Sequence, residues 1–236
     1  MVNQKWPNRL VIVRHGQSEH NVALDLLEDG LENRLEEMRK IRDADIALTP
    51  TGVWQAEQTG KMLAAYPDFD ICFSSPYERT LQTSYSILSQ LPYEVKLFRD
   101  NRLREKEFGR LHGLSTDEIK ENHPEEYAGR ELEGKYWYRL PGGENYPDVE
   151  ERVHSFLNKL HRDWSGKNVL VVTHQVPYVS FRKMFEHLDE EQILELGNVP
   201  NCGVQEYLLD TIRVPEGRLV LSNYDATAYD RDKAPK

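Results

Sequence analysis

Cysteine is scarce in this chain: Cys72 and Cys202 are the only two among 236 residues. Two thiols cannot build a disulfide framework or a four-cysteine zinc site, so the expected setting is a reducing one, the cytoplasm. Long apolar runs are missing as well. The longest unbroken runs of Leu, Ile and Val, residues 10–13 and 169–172, are four residues each, far below the roughly 20 needed to cross a bilayer. Residues 1–9 are largely polar and hold no secretory h-region. Positive charge is in deficit, with 30 Lys+Arg against 40 Asp+Glu and a formal net charge of −10. That balance argues against a nucleic-acid or anionic-membrane surface, which needs clustered Lys and Arg. A phosphorylated substrate would have to be held by local positive charge against the field of the whole chain. There is no internal repeat and no Gly/Ser linker, and the length suits a single domain over residues 1–236.

The two short aliphatic runs have the pattern of parallel strands buried on both faces, where polar alternation disappears. Residues 10–13 run into Arg14-His15-Gly16, and residues 169–172 into Thr173-His174-Gln175. Residues 70–73, ending at Ser74-Ser75-Pro76, and residues 95–98 are further strand candidates. Between them lie helical patterns at 51–66, after a Thr/Pro start, at 76–91, and at 148–164, where Val149, Val153, Phe156, Leu157, Leu160 and Trp164 share one face. Strand alternating with helix predicts an α/β, three-layer sandwich: a mostly parallel central sheet with helices on both faces. Two stretches interrupt that rhythm. Residues 23–45 carry Leu24, Leu27, Leu31, Leu35 and Met38 at helical spacing, with a break expected near Gly30. Residues 124–147, rich in Glu, Gly and Tyr, suggest an irregular cap. Both follow motif-bearing segments, where lids and specificity loops are usually found. The chain is expected to close with a β-hairpin of residues 203–210 and 218–224 turning at 215–217, followed by a frayed tail at 231–236.

Ligands of open α/β sheets bind beyond the carboxyl ends of the strands. Arg14, His15 and His174 fall there, and Arg79 falls in the first turn of the helix that follows Ser74-Ser75-Pro76. Two histidines, two arginines and a helix N-terminus converging on one point make an anion site suited to a tetrahedral dianion. Neighbouring cations disfavour imidazolium, so His15 can stay neutral and nucleophilic near neutral pH. Attack of one ring nitrogen on phosphorus then needs a proton for the leaving oxygen, and Glu105 is the candidate acid.

The motifs occur in a fixed order: Arg-His-Gly-Gln-Ser-Glu-His-Asn (14–21), Leu-Thr-Pro-Thr-Gly (48–52), Ser-Ser-Pro-Tyr-Glu-Arg-Thr-Leu-Gln-Thr (74–83), Leu-Arg-Glu-Lys-Glu-Phe-Gly (103–109), Pro-Gly-Gly-Glu-Asn (141–145) and Val-Val-Thr-His (171–174). This set resembles the histidine phosphatase superfamily, also called the phosphoglycerate mutase-like fold, from about residue 9 to residue 210. The resemblance implies that His15 becomes phosphorylated, that Arg14, Arg79 and His174 complete the phosphate pocket, and that Glu105 donates the proton. It implies Asn21 as a further phosphate ligand, with Gln17 and Ser18 close by. It implies no metal and no cofactor. Gln175 stands where the family has Gly, and its backbone N–H remains able to face a phosphate. The mutase branch has Trp where this chain has His20, then an Asn-Arg-Phe run where this chain begins its charged excursion. A later Arg-rich segment of the mutases is also not evident. These departures favour net hydrolysis of a small phosphorylated metabolite, with a mutase-type phosphotransferase as the alternative. His20, Arg104, Lys106, Arg110, His112, Arg130, Lys135, Tyr136, Tyr138 and Arg139 are candidates to line the entrance.

Rival chemistries lack their residues. A cysteine-dependent phosphatase needs Cys-x5-Arg, and Arg79 is one residue too far from Cys72. There is no His-Glu-x-x-His and no Gly-x-Ser-x-Gly. Asp68-Phe69-Asp70 imitates an aspartyl-phosphatase start but follows a helical pattern. The rival from a different class is a silent phosphate-binding pseudo-enzyme, whose mark would be loss of His15, Arg79 or Glu105, and all three are present.

Overall fold

The computed structural model describes residues 5–28, 33–210 and 218–235. In chain order the regular elements are β1 (Arg9–Arg14), α1 (Glu19–Glu28), α2 (Asn33–Met38), α3 (Pro50–Leu63), β2 (Ile71–Ser74), α4 (Glu78–Leu88), β3 (Leu97–Arg99), α5 (Thr116–Asn122), α6 (Pro124–Glu133), α7 (Tyr146–Asp163), β4 (Asn168–Thr173), α8 (Gln175–Glu186), α9 (Glu190–Glu195), β5 (Val204–Asp210) and β6 (Arg218–Ala226). The strands form one sheet in the order β3-β2-β4-β1-β5-β6. β3, β2, β4 and β1 run parallel, and β5 and β6 join antiparallel at one side.

Successive residues of one strand feed two different cores. Leu10 and Ile12 of β1, with Phe73, Val169 and Val171, pack against Val149, Val153, Phe156 and Leu160 of α7 and Val179 of α8. Val11 and Val13, with Cys72, Leu170 and Val172, pack against Ala56 and Leu63 of α3 and Ile87 of α4. This is the expected three-layer α/β sandwich, and it explains why the strand sequences show no polar alternation. Truncating a core side chain such as fully buried Phe156 to Ala should cost about 3–5 kcal/mol.

The helix starts follow from their caps. Thr49 accepts a hydrogen bond from the Gly52 N–H at 3.0 Å, and Pro50 fills the first turn of α3. Asn145 and Asp148 cap each other's backbone at the start of α7. Several expectations are corrected. The 124–147 cap is not irregular throughout, since α6 occupies its first ten residues. Pro124 opens that helix, Glu125 and Glu126 sit in its first turn, and it buries no residue, so it has no apolar stripe to betray it. The helices α8 and α9 were not anticipated. Residues 176–182 of α8 are buried all round, and a run of Val, Tyr and Phe with Pro177 looks like a strand in sequence. In the structure Pro177 sits in the first helical turn, where no N–H is required. As far as residue 235 the tail is tied down: Arg231–Lys233 form a 3-10 turn, and the Thr51 hydroxyl donates to the Pro235 carbonyl at 3.1 Å. The turn at 215–217, the break at Gly30 and the side chains of Leu27, Leu31 and Leu35 fall outside the described residues. Leu24 of the same stripe is 40% exposed.

Candidate active site

β1 and β4 pair in parallel with Arg14 opposite Thr173. His15 and His174 therefore leave the sheet side by side at its carboxyl end, and the His15 N–H donates to the Thr173 carbonyl at 2.9 Å. Their rings meet edge to face, 5.1 Å apart at 63°. His15 Nδ1–H donates to the Gly16 carbonyl at 2.7 Å, which fixes Nε2 as the unprotonated nitrogen. Its imidazole is held well below the ordinary histidine value by burial and by the charges of Arg79 and Arg14. His174 is wholly buried and likewise held neutral, by burial and then by Arg79. Its Nε2 pairs with the Ser75 hydroxyl at 2.8 Å, while the same oxygen accepts from the Tyr77 N–H at 3.3 Å.

The turn after His15 is tight for a steric reason. A Cβ on Gly16 would lie 2.4 Å from the Gly52 carbonyl oxygen, and a Cβ on Gly52 2.0 Å from that of Gln17. Only hydrogen at both positions lets the start of α3 close against this turn. The Gly16 N–H is capped by Thr83 Oγ1 of α4 at 3.0 Å.

A cavity of about 390 Å³ opens beside His15, and Arg14, Asn21, Arg79, Glu105, Lys106 and Gln175 are among its lining residues. Arg14 donates through Nη1 to the Val199 carbonyl. Arg79 lies over the Tyr77 ring at 5.0 Å and is gripped by Asp43. Glu105 accepts from the Lys106 and Val176 N–H groups through one oxygen, at 2.8 and 3.1 Å. Burial raises its carboxyl above the ordinary value even so. Three polar atoms around this site are buried with no hydrogen-bond partner among the described residues: Arg14 Nε, His174 Nδ1 and His20 Nε2. Buried polar atoms normally have partners, and three orphans at one place form a ready set for a polar ligand.

Six of the seven residues expected at the site line this cavity, and His174 packs directly behind His15. Two behave differently from expectation in detail. The Asn21 oxygen is occupied by Ser18 N and Oγ, both at 3.0 Å, leaving its amide as the group it can offer. The Gln175 side chain turns away to the 197–199 loop, donating to the Gly197 carbonyl and accepting from the Val199 N–H, each at 2.9 Å. Among the entrance candidates, His20, Lys106, His112, Arg130, Lys135 and Tyr138 line the cavity. Arg104 pairs with Glu144 and Arg139 with Asp148, while Tyr136 is buried with its hydroxyl on Glu150. Arg110 is exposed near Glu126. His20 and His112 stack with ring centres 5.8 Å apart, and burial holds His20 down at about 4.

Sequence reasoning missed the supports. Arg152 donates to the Glu105 carbonyl at 3.0 Å and is itself clamped by Glu144. Ser75, Thr83 and Glu144 all sit inside the ordered motifs, but a motif shows order and not which partner each side chain meets. Asp43 lies in a run, Arg-Asp-Ala-Asp-Ile-Ala-Leu-Thr (42–49), that stands out in the sequence without showing which cation its carboxylates meet. Among the described residues no group of three or more His, Cys, Asp or Glu is placed to hold a metal, and no helix is long and apolar enough to cross a membrane.

Residues 10–214 match the family described as "Histidine phosphatase superfamily (branch 1)". A 2,3-bisphosphoglycerate-dependent phosphoglycerate mutase of Cytophaga hutchinsonii is 34% identical over 186 residues, covering 77% of each chain. The bovine (Bos taurus) 6-phosphofructo-2-kinase/fructose-2,6-bisphosphatase 3 is 32% identical over 195 residues, 82% of this chain and 36% of that protein. Among solved structures, Bacillus stearothermophilus YhfR superposes with a TM-score of 0.72 at 23% identity, over 91% of this chain and 95% of the other. On the match across most of its length and on relatives above 30% identity, the chain belongs to the histidine phosphatase superfamily.

Proposed function

We propose that this chain hydrolyses a small phosphomonoester through a phosphohistidine on His15. The observation that carries this reading is the bond from His15 Nδ1–H to the Gly16 carbonyl, in a ring kept neutral beside two arginines. It leaves the Nε2 lone pair as the attacking group. Nε2 forms the new P–N bond as the ester P–O bond breaks, and the departing oxygen takes the proton of Glu105. Water then attacks the same phosphorus, Glu105 takes its proton, and the P–N bond breaks to release phosphate and restore His15. Burial supports Glu105 in the protonated state that the first step needs. Arg14 and Arg79 hold the phosphoryl oxygens. The Ser75 hydroxyl donates to His174 Nε2, so that His174 presents Nδ1–H to them. The segments 23–45 and 124–147 act as a lid, contributing Leu24 and Asp43 from one side and Arg130, Lys135 and Tyr138 from the other.

The substrate carries a second anionic group. Lys106, Arg130 and Lys135 line the same cavity. Burial and the charges of Arg130 and Lys135 bring the Lys106 ammonium down to about 8. Cations that press on each other in this way are relieved by an anion between them, as in a sugar bisphosphate or a phosphorylated acid. The bovine relative's name describes a fructose-2,6-bisphosphatase, and this reading is in keeping with it. A second reading, transfer back to the same substrate, is favoured by the identity to the mutase of Cytophaga hutchinsonii.

The test is phosphate release, with a chelator present, from p-nitrophenyl phosphate, sugar mono- and bisphosphates, phosphoglycerates and nucleotides, for wild type and His15→Ala. Selective release with acid-labile phosphate on the wild-type protein alone supports hydrolysis. Interconversion of the phosphoglycerates without net release supports the mutase. No turnover and no acid-labile phosphate on any substrate removes both.

A further inference from the structure

Asp43 opens the 3-10 turn Asp43–Asp45, which packs against α4, and it lines the cavity beside His15. Its partner there is Arg79. Nη1 donates to the Asp43 backbone carbonyl at 2.6 Å and to Oδ1 at 3.0 Å, and Nη2 donates to Oδ2 at 3.2 Å. The Arg79 side chain is 5% exposed and that of Asp43 20%. A guanidinium has five N–H donors in a rigid fork. Asp43 takes three of them along the Nη1/Nη2 edge, which leaves Nε–H and the second Nη2–H as a fork for two further oxygens.

We propose that Asp43 is a positioning residue and counter-charge for the phosphoryl group. It fixes which edge of Arg79 meets the substrate, and its charge keeps the pocket from holding the product dianion too tightly. This inference rests on the reading of the pocket as a phosphoryl site. Arg14 and Arg79 bring two positive charges, while His15 and His174 are held neutral. Without Asp43 those two charges would match a phosphate dianion. With it, one of the two arginine charges is already matched, and Asp43 faces the phosphate across a single planar group, where little solvent intervenes to screen it. Binding is weakened most for free phosphate, which has no second group to anchor it among Lys106, Arg130 and Lys135. Asp43 therefore sets turnover through product release, without touching the reacting atoms.

The experiment is calorimetric titration of inorganic phosphate into wild type, Asp43→Asn and Asp43→Ser, alongside steady-state kinetics. Asn keeps an acceptor for Arg79 and removes only the charge. Ser removes both, and it keeps the question open if the Asn variant fails to unfold cooperatively on heating. Phosphate should bind about tenfold tighter to Asp43→Asn, and tighter by a smaller factor to Asp43→Ser, where Arg79 is also loosened, with KM falling and kcat falling with it as release slows. A merely structural role would raise KM and weaken phosphate. Binding equal to wild type or weaker in the folded variants overturns the counter-charge. Wild-type protein that takes up no phosphate at millimolar concentration overturns the phosphoryl reading of the pocket, and this inference with it.

Discussion

The imidazoles of His15 and His174 meet edge to face at 5.1 Å, each with one nitrogen tied down, His15 to the Gly16 carbonyl and His174 to the Ser75 hydroxyl. Two imidazolium ions could not share that spacing away from water. Burial and the flanking arginines keep both rings neutral, and each anchor leaves the other ring nitrogen, His15 Nε2 and His174 Nδ1, without a partner among the described residues to hold it.

A pH consequence follows. A group with an ordinary value of 6.5 loses half its neutral form at that pH, but His15 lies well below it. After correction for the substrate's own ionisation, kcat/KM should stay level as pH falls from 7 through 6. On the alkaline side, Glu105 is raised and gives up its proton as pH climbs through its shifted value. Cleavage of alkyl phosphates should fall there, while that of p-nitrophenyl phosphate stays level. An acid limb centred at the ordinary histidine value would contradict the buried neutral His15.

Glu105→Gln separates the acid from the rest of the pocket. Phenolates with low pKa depart unaided, so in kcat/KM, which reports P–O cleavage and not the later attack of water, p-nitrophenyl phosphate should lose less than about tenfold, and a sugar phosphate about a hundredfold or more. Equal losses on both substrates would remove Glu105 from the role of acid.

Lys106 is charged in neutral solution and loses its proton near pH 8. KM for a doubly anionic substrate should rise through that pH while KM for p-nitrophenyl phosphate does not. Lys106→Met should abolish the rise and raise KM about tenfold at pH 7, on the scale of one charge-assisted contact. A KM that is flat in pH for the wild type would place the second anion elsewhere.

Gln175→Ala deletes two hydrogen bonds to the 197–199 loop, whose Val199 carbonyl holds Arg14. The loss should be about 1–2 kcal/mol in chemical unfolding and a several-fold weaker phosphate Kd, because Arg14 loses its anchor. Unchanged phosphate affinity in a destabilised variant would confine Gln175 to the loop.

Gly52→Ala drives a methyl to 2.0 Å from the Gln17 carbonyl oxygen. Backbone must shift, and a cost of about 2–4 kcal/mol is expected, with lowered activity because the displaced turn carries His15. Thermal unfolding at wild-type temperature would show that this turn yields.

What the sequence revealed follows from where the information is local. The runs ending at Arg14-His15 and Thr173-His174 announced buried parallel strands with chemistry at their ends, and Thr49-Pro50 announced a helix start. The start of α8 was missed because periodicity vanishes where every face is covered, as over residues 176–182, and α6 because it buries nothing. The partner of Arg79 was illegible for another reason. Asp43 meets it only once the 23–45 segment has folded back, and among many acidic residues nothing in the spacing singles it out. The same holds for Gln175, whose amide is turned by a loop more than twenty residues away in the chain.

The parallel pairing of β1 with β4 also sets a clock on assembly. Arg14 stands opposite Thr173, so the first histidine of the pocket is made well before the second and waits for it through the synthesis of everything between them. Closing so distant a contact is slow, and an emerging polypeptide carries His15 without His174 beside it. The two histidines come together late, when β4 slots between β1 and β2. Chains that stop short of β4 therefore lack the strand that seats His174, and a phosphate analogue added during refolding would report the final docking step.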